Sequence, residues 1–470
     1  MRTTAHIARK ELLELVRDGR FRLLAVLTLL VSVAALAAGW KQYTDVERQH
    51  TQAQQATRAQ WLQQPAKNPH SAAHYGMYAF KPRTRLSLVD TGVDPYVGVA
   101  AWLEAHKQNE FRYRPAQDRT AVQRFGELTA AEACLVVVPL FIVLIAFGAL
   151  AGEREQGTLR QVLSLGVSRG QLFLGKALGT VAALGLVAVP SAALGAAALL
   201  NASIGDDAPA DLTRATLIAG TYLAYFAVWI AVSLGVSARA PSPRTALVVL
   251  LALWFANGLV ATRAAGDFAA WLYPVPSTVT FQTELEQALA NQDEMRARLE
   301  RRRQDALRAY NVTSVDALPI SFTGISLQEG EEHGNEVFDR HYGRLFTRYE
   351  AQNRAVQWTG FIAPMLAVRP LSMALAGTDF AHHRAFVAAA EAHRRGMQRV
   401  LNADIVAHAK PGAAYVAGPE LWARVPAFDY RFPPAWWAVR QALPSALLLA
   451  VWGLASGWFA LTAMRRQTAD

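Results

Sequence analysis

The stretch "GEREQGTLRQVLSLGVSRGQLFLGKALG", residues 152–179, holds a near-match to a phosphate-binding loop. Gly170 to Ala177 reads G-x-x-x-x-G-K-A, where a P-loop reads G-x-x-x-x-G-K-[ST]. The chemistry argues against a nucleotide. A P-loop wraps phosphate with the backbone N–H groups of small residues and holds magnesium through its last hydroxyl. Here the interior is Gln171, Leu172, Phe173 and Leu174, which are bulky and mostly apolar, and Ala177 offers no ligand atom. The preceding "TLRQVLSLGVSR" reads as helix, and the following residues enter a long apolar block. Lys176 is therefore expected at the inner end of a membrane span, as an anchor whose ammonium reaches the lipid headgroups.

Six apolar blocks lie around this stretch, at roughly 22–40, 133–151, 177–200, 214–238, 245–261 and 442–463. Each is close to the ~20 residues that a bilayer-crossing helix needs, the fifth being short. Blocks two, three and five carry no ionisable residue but Cys134, so coupling to an ion gradient through charges inside the membrane is not expected. At 52% hydrophobic residues the chain is too apolar for disorder. Its single cysteine, Cys134, excludes an internal disulfide. Block one is read as an uncleaved span rather than a secretory signal, because its leader is long and contains Glu11, Glu14 and Asp18.

Charge sets the orientation. The first 22 residues hold six Lys/Arg, the 152–176 loop four, and "RAPSPR" (239–244) two, and Arg465 and Arg466 follow the last block. The short loop 201–213 has none and carries Asp206, Asp207 and Asp211. The positive-inside rule then places both termini and the basic loops in the cytoplasm. This topology accounts for much of the net charge of +10, and no nucleic-acid partner is expected.

The expected fold is mainly α: a polytopic membrane protein with six transmembrane helices and two extracytoplasmic, mostly helical insertions. Its parts run as follows: a cytoplasmic amphipathic interface helix, 1–21; span one, 22–40; the first insertion, 41–131; span two, 132–151; a cytoplasmic coupling loop, 152–176; span three, 177–200; a short outer loop, 201–213; span four, 214–238; a cytoplasmic loop, 239–244; span five, 245–261; the second insertion, 262–441; span six, 442–463; and a cytoplasmic tail, 464–470. The second insertion is charge-balanced between 262 and 437, with 19 Lys/Arg against 19 Asp/Glu. In it, Phe338, Tyr342, Leu345, Tyr349, Asn353 and Val356 recur at helical spacing. "TELEQALANQDEMRARLERRRQDALRAY" reads as another long polar helix with a thin stripe of Leu285, Leu289, Met295, Leu299 and Leu307. Trp436 and Trp437, just before span six, are expected to anchor at the outer membrane interface.

The loop 152–179 resembles the signature loop of ABC-2 type transporter permeases: an acidic pair, Gly-Thr-Leu, a short helix with a turn, Ser-Arg, then Leu-Gly-Lys entering the next span. Glu153, Glu155, Gly157, Thr158, Leu159, Ser168, Arg169, Leu174, Gly175 and Lys176 fit it, with Gly166-Val167 where the turn usually has proline. The leader "ARKELLELVRDGRFRLL" resembles the interface helix of such permeases, and Ala5, Ala8, Leu12, Leu15 and Val16 share one face. Lys10 and Arg17 flank that face. The two large insertions resemble a subgroup of largely unknown function.

This resemblance implies a membrane subunit of an ABC exporter in the bacterial cytoplasmic (inner) membrane. It would be coupled to a separate cytoplasmic ATPase dimer through Glu153, Arg154, Glu155, Gly157, Thr158, Leu159, Val162 and Leu163. Thr158 is an acceptable N-cap for the short helix, and Glu153 and Glu155 lie where a partner can reach them. A second permease copy or homologous permease, membrane lipid and an envelope partner complete the expected surroundings. ATP and Mg belong to the partner ATPase, and this chain is expected to bind no cofactor. One alternative is an ABC-driven force transmitter acting on an envelope partner without a pore. Another is a receptor or scaffold whose outer domains bind ligand, with no ATPase. No nucleophile–base constellation is identifiable, and no catalytic residue is assigned. His382 and His383 are adjacent, with His333, His341 and His393 nearby, but no H-E-x-x-H or Cys-x-x-Cys occurs, and no metal site is expected.

Overall fold

The computed structural model describes residues 2–114, 116–117, 128–202, 208–411 and 413–465. The expected tail beyond residue 465 and the acidic residues Asp206 and Asp207 lie outside the described residues.

Six helices among the described residues are long and apolar enough to cross a membrane: Gly19–Leu62, Ala130–Glu155, Arg169–Ala202, Ala210–Arg239, Pro243–Leu272 and Leu443–Arg465. The chain is a mainly α, multi-pass membrane protein. Spans two and four form the centre, with 56% of their most apolar windows buried, whereas spans one, three, five and six leave most of their apolar surface outward. Outward apolar residues such as Leu23, Leu30, Val189 and Leu454 suit a lipid surrounding, where apolar exposure carries no cost.

Two helices run well past their apolar blocks. The helix of span one continues to Leu62, because "KQYTDVERQHTQAQQATRAQ" keeps good helix formers beyond the apolar run. The helix of span five reaches Leu272 and is not short; its apolar pattern is only interrupted by Arg263 and Asp267. Within it the backbone widens into a π-bulge over Ala256–Val260. The bulge presents Asn257, whose side chain donates to the Tyr225 hydroxyl (3.0 Å) and accepts from the Met365 N–H (3.0 Å).

That second bond marks a departure from the expected layout. Helix Pro364–Ala376 lies within the sequence assigned to the second insertion, yet Met365, Ala367, Val368, Leu371, Ala374 and Leu375 belong to the core of the membrane bundle. A 13-residue apolar helix is too short to span and is stable only when buried, as here against spans four and six. Ser372 ties it further, through Tyr222 (2.9 Å) and the Asp90 carboxylate (2.6 Å). Arg214, at the start of span four, donates to the backbone oxygens of Leu375 (3.1 Å) and Pro433 (2.5 Å).

The two insertions are also not independent. They share one core, in which Trp61, Ala72, Met77 and Leu103 meet Phe386, Met397, Leu401 and Trp422. The Trp61 indole N–H donates to the Trp422 carbonyl at 2.9 Å, and the rings meet edge to face with centroids 6.2 Å apart. The first insertion contains a two-stranded antiparallel sheet, β1 (Met77–Phe80) and β2 (Ala100–Leu103), with Met77 opposite Leu103. The polar segment read as one helix from 283 to 310 is two, Thr278–Ala290 and Asp293–Ala309. Asn291 is extended and ends the first helix; its side chain accepts from the Asp293 N–H (3.3 Å) across Gln292, the N-cap of the second. The first packs Phe281 and Leu285 on Val337 and Phe338 of the long helix Phe322–Trp358.

Candidate coupling site at the basic end of the bundle

Span two is interrupted by a turn at Phe147–Leu150 and resumes as helix Ala151–Glu155; the chain then turns again before helix Thr158–Ser164. Ser237 on span four mends the first interruption: its hydroxyl accepts from the N–H groups of Leu150 (3.0 Å) and Ala151 (3.1 Å) and donates to the Phe147 carbonyl (2.7 Å). Arg154 donates to the carbonyls of Ala238 and Ala240, covering acceptors left open at the C-terminus of span four. The second turn depends on Gly157, whose φ of +76° puts it in the left-handed region. Gly157 therefore occupies the capping position expected of Thr158, and the Thr158 hydroxyl instead donates back to the Glu153 carbonyl (3.2 Å). Leu159 is buried in the bundle, and Val162 and Leu163 are half-buried against it. Leu165, which the helical pattern places with them, is 82% exposed.

Glu153 and Glu155 do different things. Glu155 is exposed. Glu153 turns inward, and its Oε1 lies 2.9 Å from the Lys176 ammonium, which also contacts Glu11 Oε2 at 2.8 Å. Lys176 is therefore not a headgroup anchor: its side chain is 3% exposed and holds two carboxylates from two distant segments. Lys10 adds a longer contact to Glu153 at 3.5 Å. Burial outweighs the attraction of Lys176 for Glu11 and raises that carboxyl above its ordinary pKa.

The interface helix Arg2–Arg17 lies directly on span three. Two glycines one turn apart permit the approach. A Cβ at Gly175 would sit 2.5 Å from the Ile7 side chain, and one at Gly179 would sit 2.6 Å from Glu11 Cβ. The "GKALG" of the false P-loop thus has two packing glycines around an ion-pairing lysine, within a continuous helix from Arg169 to Ala202. Ile7, Leu12, Leu15 and Val16 pack on the bundle core, whereas Ala5, expected with them, is exposed. Arg17 is exposed in the last turn, its carbonyl accepting from Arg22 (3.1 Å), and Asp18 caps span one by accepting from the Arg20 N–H (2.8 Å).

At the opposite end, Trp436 is 63% exposed, while Trp437 turns inward onto His382, ring centroids 4.9 Å apart. Only Trp436 has the outward placement expected of an interface anchor. His382 is fully buried and bonded to Asp379 (2.5 Å), and His383 packs edge-on against Phe111. The histidines that converge are others: His70, His74 and His106. The spacing of His70 and His74 puts them on one helical face, and this was the legible part of the signal; His106 comes from a loop beyond β2. Burial and the two neighbouring imidazoles push His70 down to about 4, while the hydrogen bond to Glu331 raises His106 above its ordinary value.

The described residues thus hold six candidate spans and, at their basic end, a loop clamped to an amphipathic N-terminal helix. The model of the ABC-2 family transporter proteins matches residues 5–299, more than half of the chain, and the protein belongs to that family. A domain of unknown function (DUF3526) matches residues 278–431. The chain is 33% identical over 121 residues to the "Probable ABC transporter permease protein NosY" of Pseudomonas aeruginosa, covering 25% of this chain and 43% of that protein. The chain spans less than half of that relative's length, and family membership is what these similarities establish.

Proposed function

We propose that this chain is the permease subunit of an ABC exporter, and that its ATPase docks on the exposed side of the 153–168 element. The observation that carries the reading is the buried knot of Glu11, Glu153 and Lys176, which makes the loop, the interface helix and span three one mechanical body. Around it, Glu155, Arg160, Gln161 and Leu165 are exposed as a mixed polar and apolar patch that a partner can cover. A push on this patch tilts span three through Lys176 and span four through Arg154 and Ser237. The chain hydrolyses no ATP itself: the residues resembling a P-loop lie within a helix, with Gly175 turned onto Ile7. ATP and Mg act on the partner.

A mechanical reading, in which the complex moves an envelope partner without a pore, gains support from helix Pro364–Ala376. That helix joins the insertions to spans four and six, so movement of the spans is passed outward. Both termini lie in the cytoplasm in either reading, and the insertions lie outside. The test is co-purification with an ATPase encoded nearby. Glu155→Lys should abolish ATPase retention while leaving the permease folded; retention equal to wild type would refute the docking surface. A cysteine at exposed Ala297 in a Cys134→Ser background should be labelled only from outside the cell.

A further inference from the structure

We propose that His70, His74 and His106 form a zinc-binding site on the first insertion, with Glu331 of the second insertion supporting it. Asn68 caps the short helix Pro69–Tyr75 by accepting from the His70 N–H (2.9 Å), and the four-residue spacing brings the His70 and His74 rings to centroids 4.7 Å apart. The backbone reversal at His106, which has φ of +62°, brings the third ring to the same point. A non-glycine residue there is strained, and such strain persists where surrounding contacts impose it. The contacts are on Glu331: its carboxylate accepts from the His106 N–H (3.2 and 3.1 Å) and lies 2.7 Å from His106 Nδ1. The Glu331 side chain is 1% exposed and is held by Gln398 at 2.5 Å, with Arg394 3.8 Å away.

The geometry is that of a ligand set. The Nε2 of His70 lies 3.2 Å from Nε2 of His74 and 3.1 Å from Nε2 of His106. With Zn–N bonds of ~2.0–2.1 Å, neighbouring nitrogens around a tetrahedral zinc are about 3.3 Å apart. All three donor atoms lie within 4.8 Å of one another, and a swing of the exposed His74 closes the remaining gap. One shared proton satisfies a single pair of these nitrogens; a divalent cation satisfies three. The Glu331 carboxylate has only acceptors for His106 Nδ1, so Nδ1 carries the proton and Nε2 is left with its lone pair toward the cluster. This carboxylate–histidine–metal relay orients a ligand and raises its basicity. Imidazole donors without thiolate suit zinc among the common late divalent metals. Three protein ligands leave a fourth position open to water or to a donor group of another molecule. Because the ligands come from one insertion and the supporting carboxylate from the other, zinc would also tighten their junction.

The experiment uses the full chain in detergent, freed of any polyhistidine tag and stripped by chelator dialysis, then titrated with Zn2+ alone against a competing fluorescent chelator. The expected result is about one zinc per chain with a rise in thermal stability. His70→Ala/His74→Ala should abolish both. Glu331→Gln should keep the stoichiometry and weaken affinity by about 10–100-fold. Substitution with Co2+ should give the intense visible absorption of tetrahedral coordination. No saturable binding at micromolar zinc, or binding unchanged by the histidine substitutions, would overturn the site. Since His70 and His74 lie on the surface of a short helix, an unchanged melting temperature of the metal-free variant separates loss of ligands from loss of fold.

Discussion

Lys176→Met is the substitution that examines the buried Glu11–Lys176–Glu153 knot most directly. In the wild type one ammonium, 3% exposed, lies 2.8 Å from Glu11 and 2.9 Å from Glu153, whose side chains are 9% and 13% exposed. Methionine fills similar volume but leaves two largely buried carboxylates facing each other, with Lys10 at the longer distance of 3.5 Å from Glu153. Removing one partner from a buried pair costs about 3–5 kcal/mol, because the other charge loses its compensation. Two such charges are stranded here, so the upper part of that range is expected. The loss must shrink on acidification. Burial already raises the Glu11 carboxyl above its ordinary pKa, and without Lys176 nothing offsets that burial, so protonation of Glu11 favours the folded state and the deficit is fully felt only above its raised value. Thermal unfolding of the detergent-solubilised chain, followed by tryptophan fluorescence, should show a large drop at pH 7 and a smaller one near pH 5. The neutralised combination Lys176→Met/Glu11→Gln/Glu153→Gln should recover most of it, since an uncharged knot strands nothing. If Lys176→Met melts with the wild type at pH 7, or if the triple variant is worse than the single one, the ion-pair account fails.

Gly179→Leu should lift the interface helix off span three, because even its Cβ falls 2.6 Å from Glu11 Cβ and 3.0 Å from the Ala8 carbonyl oxygen. Overpacking of this kind costs about 1–3 kcal/mol, and limited proteolysis near Gly19 should accelerate, whereas Gly170→Ala, with no atom within 4 Å, should not change it. Trp61→Ala should cost about 3–5 kcal/mol by opening a cavity in the core shared by the insertions; protease sensitivity of both insertions together checks this, and sensitivity of the first alone would contradict the shared core. Excising 283–430 should destroy assembly, since it removes helix Pro364–Ala376 from the bundle core, while removing 293–309, a helix with no buried residue, should be tolerated; size-exclusion profiles of the two deletions decide it.

Periodicity and composition alone determined the six candidate spans of this chain. A helix crossing lipid must satisfy its backbone internally and present about 20 apolar residues, a local demand written into contiguous sequence. The amphipathic leader, the turn at Gly157 and the helical stripe from Phe338 to Val356 are local in the same sense. What the tertiary structure alone decided are the encounters between distant segments. Lys176 reads as a snorkelling lysine until a glycine-lined face brings Glu11, 165 residues away, within hydrogen-bonding distance. Glu153 and Glu155 look equivalent two positions apart, yet successive helical positions point in different directions, and one is buried while the other faces out. Helix Pro364–Ala376 is too short to announce itself as membrane core, and only its neighbours make it so. His106 shares no periodicity with His70 and His74; a left-handed backbone held by Glu331, 225 residues further on, puts the three rings together. Local order follows from backbone geometry repeated along the chain, whereas charge pairing and ligand convergence depend on which faces meet, and that is settled only when the whole chain has packed.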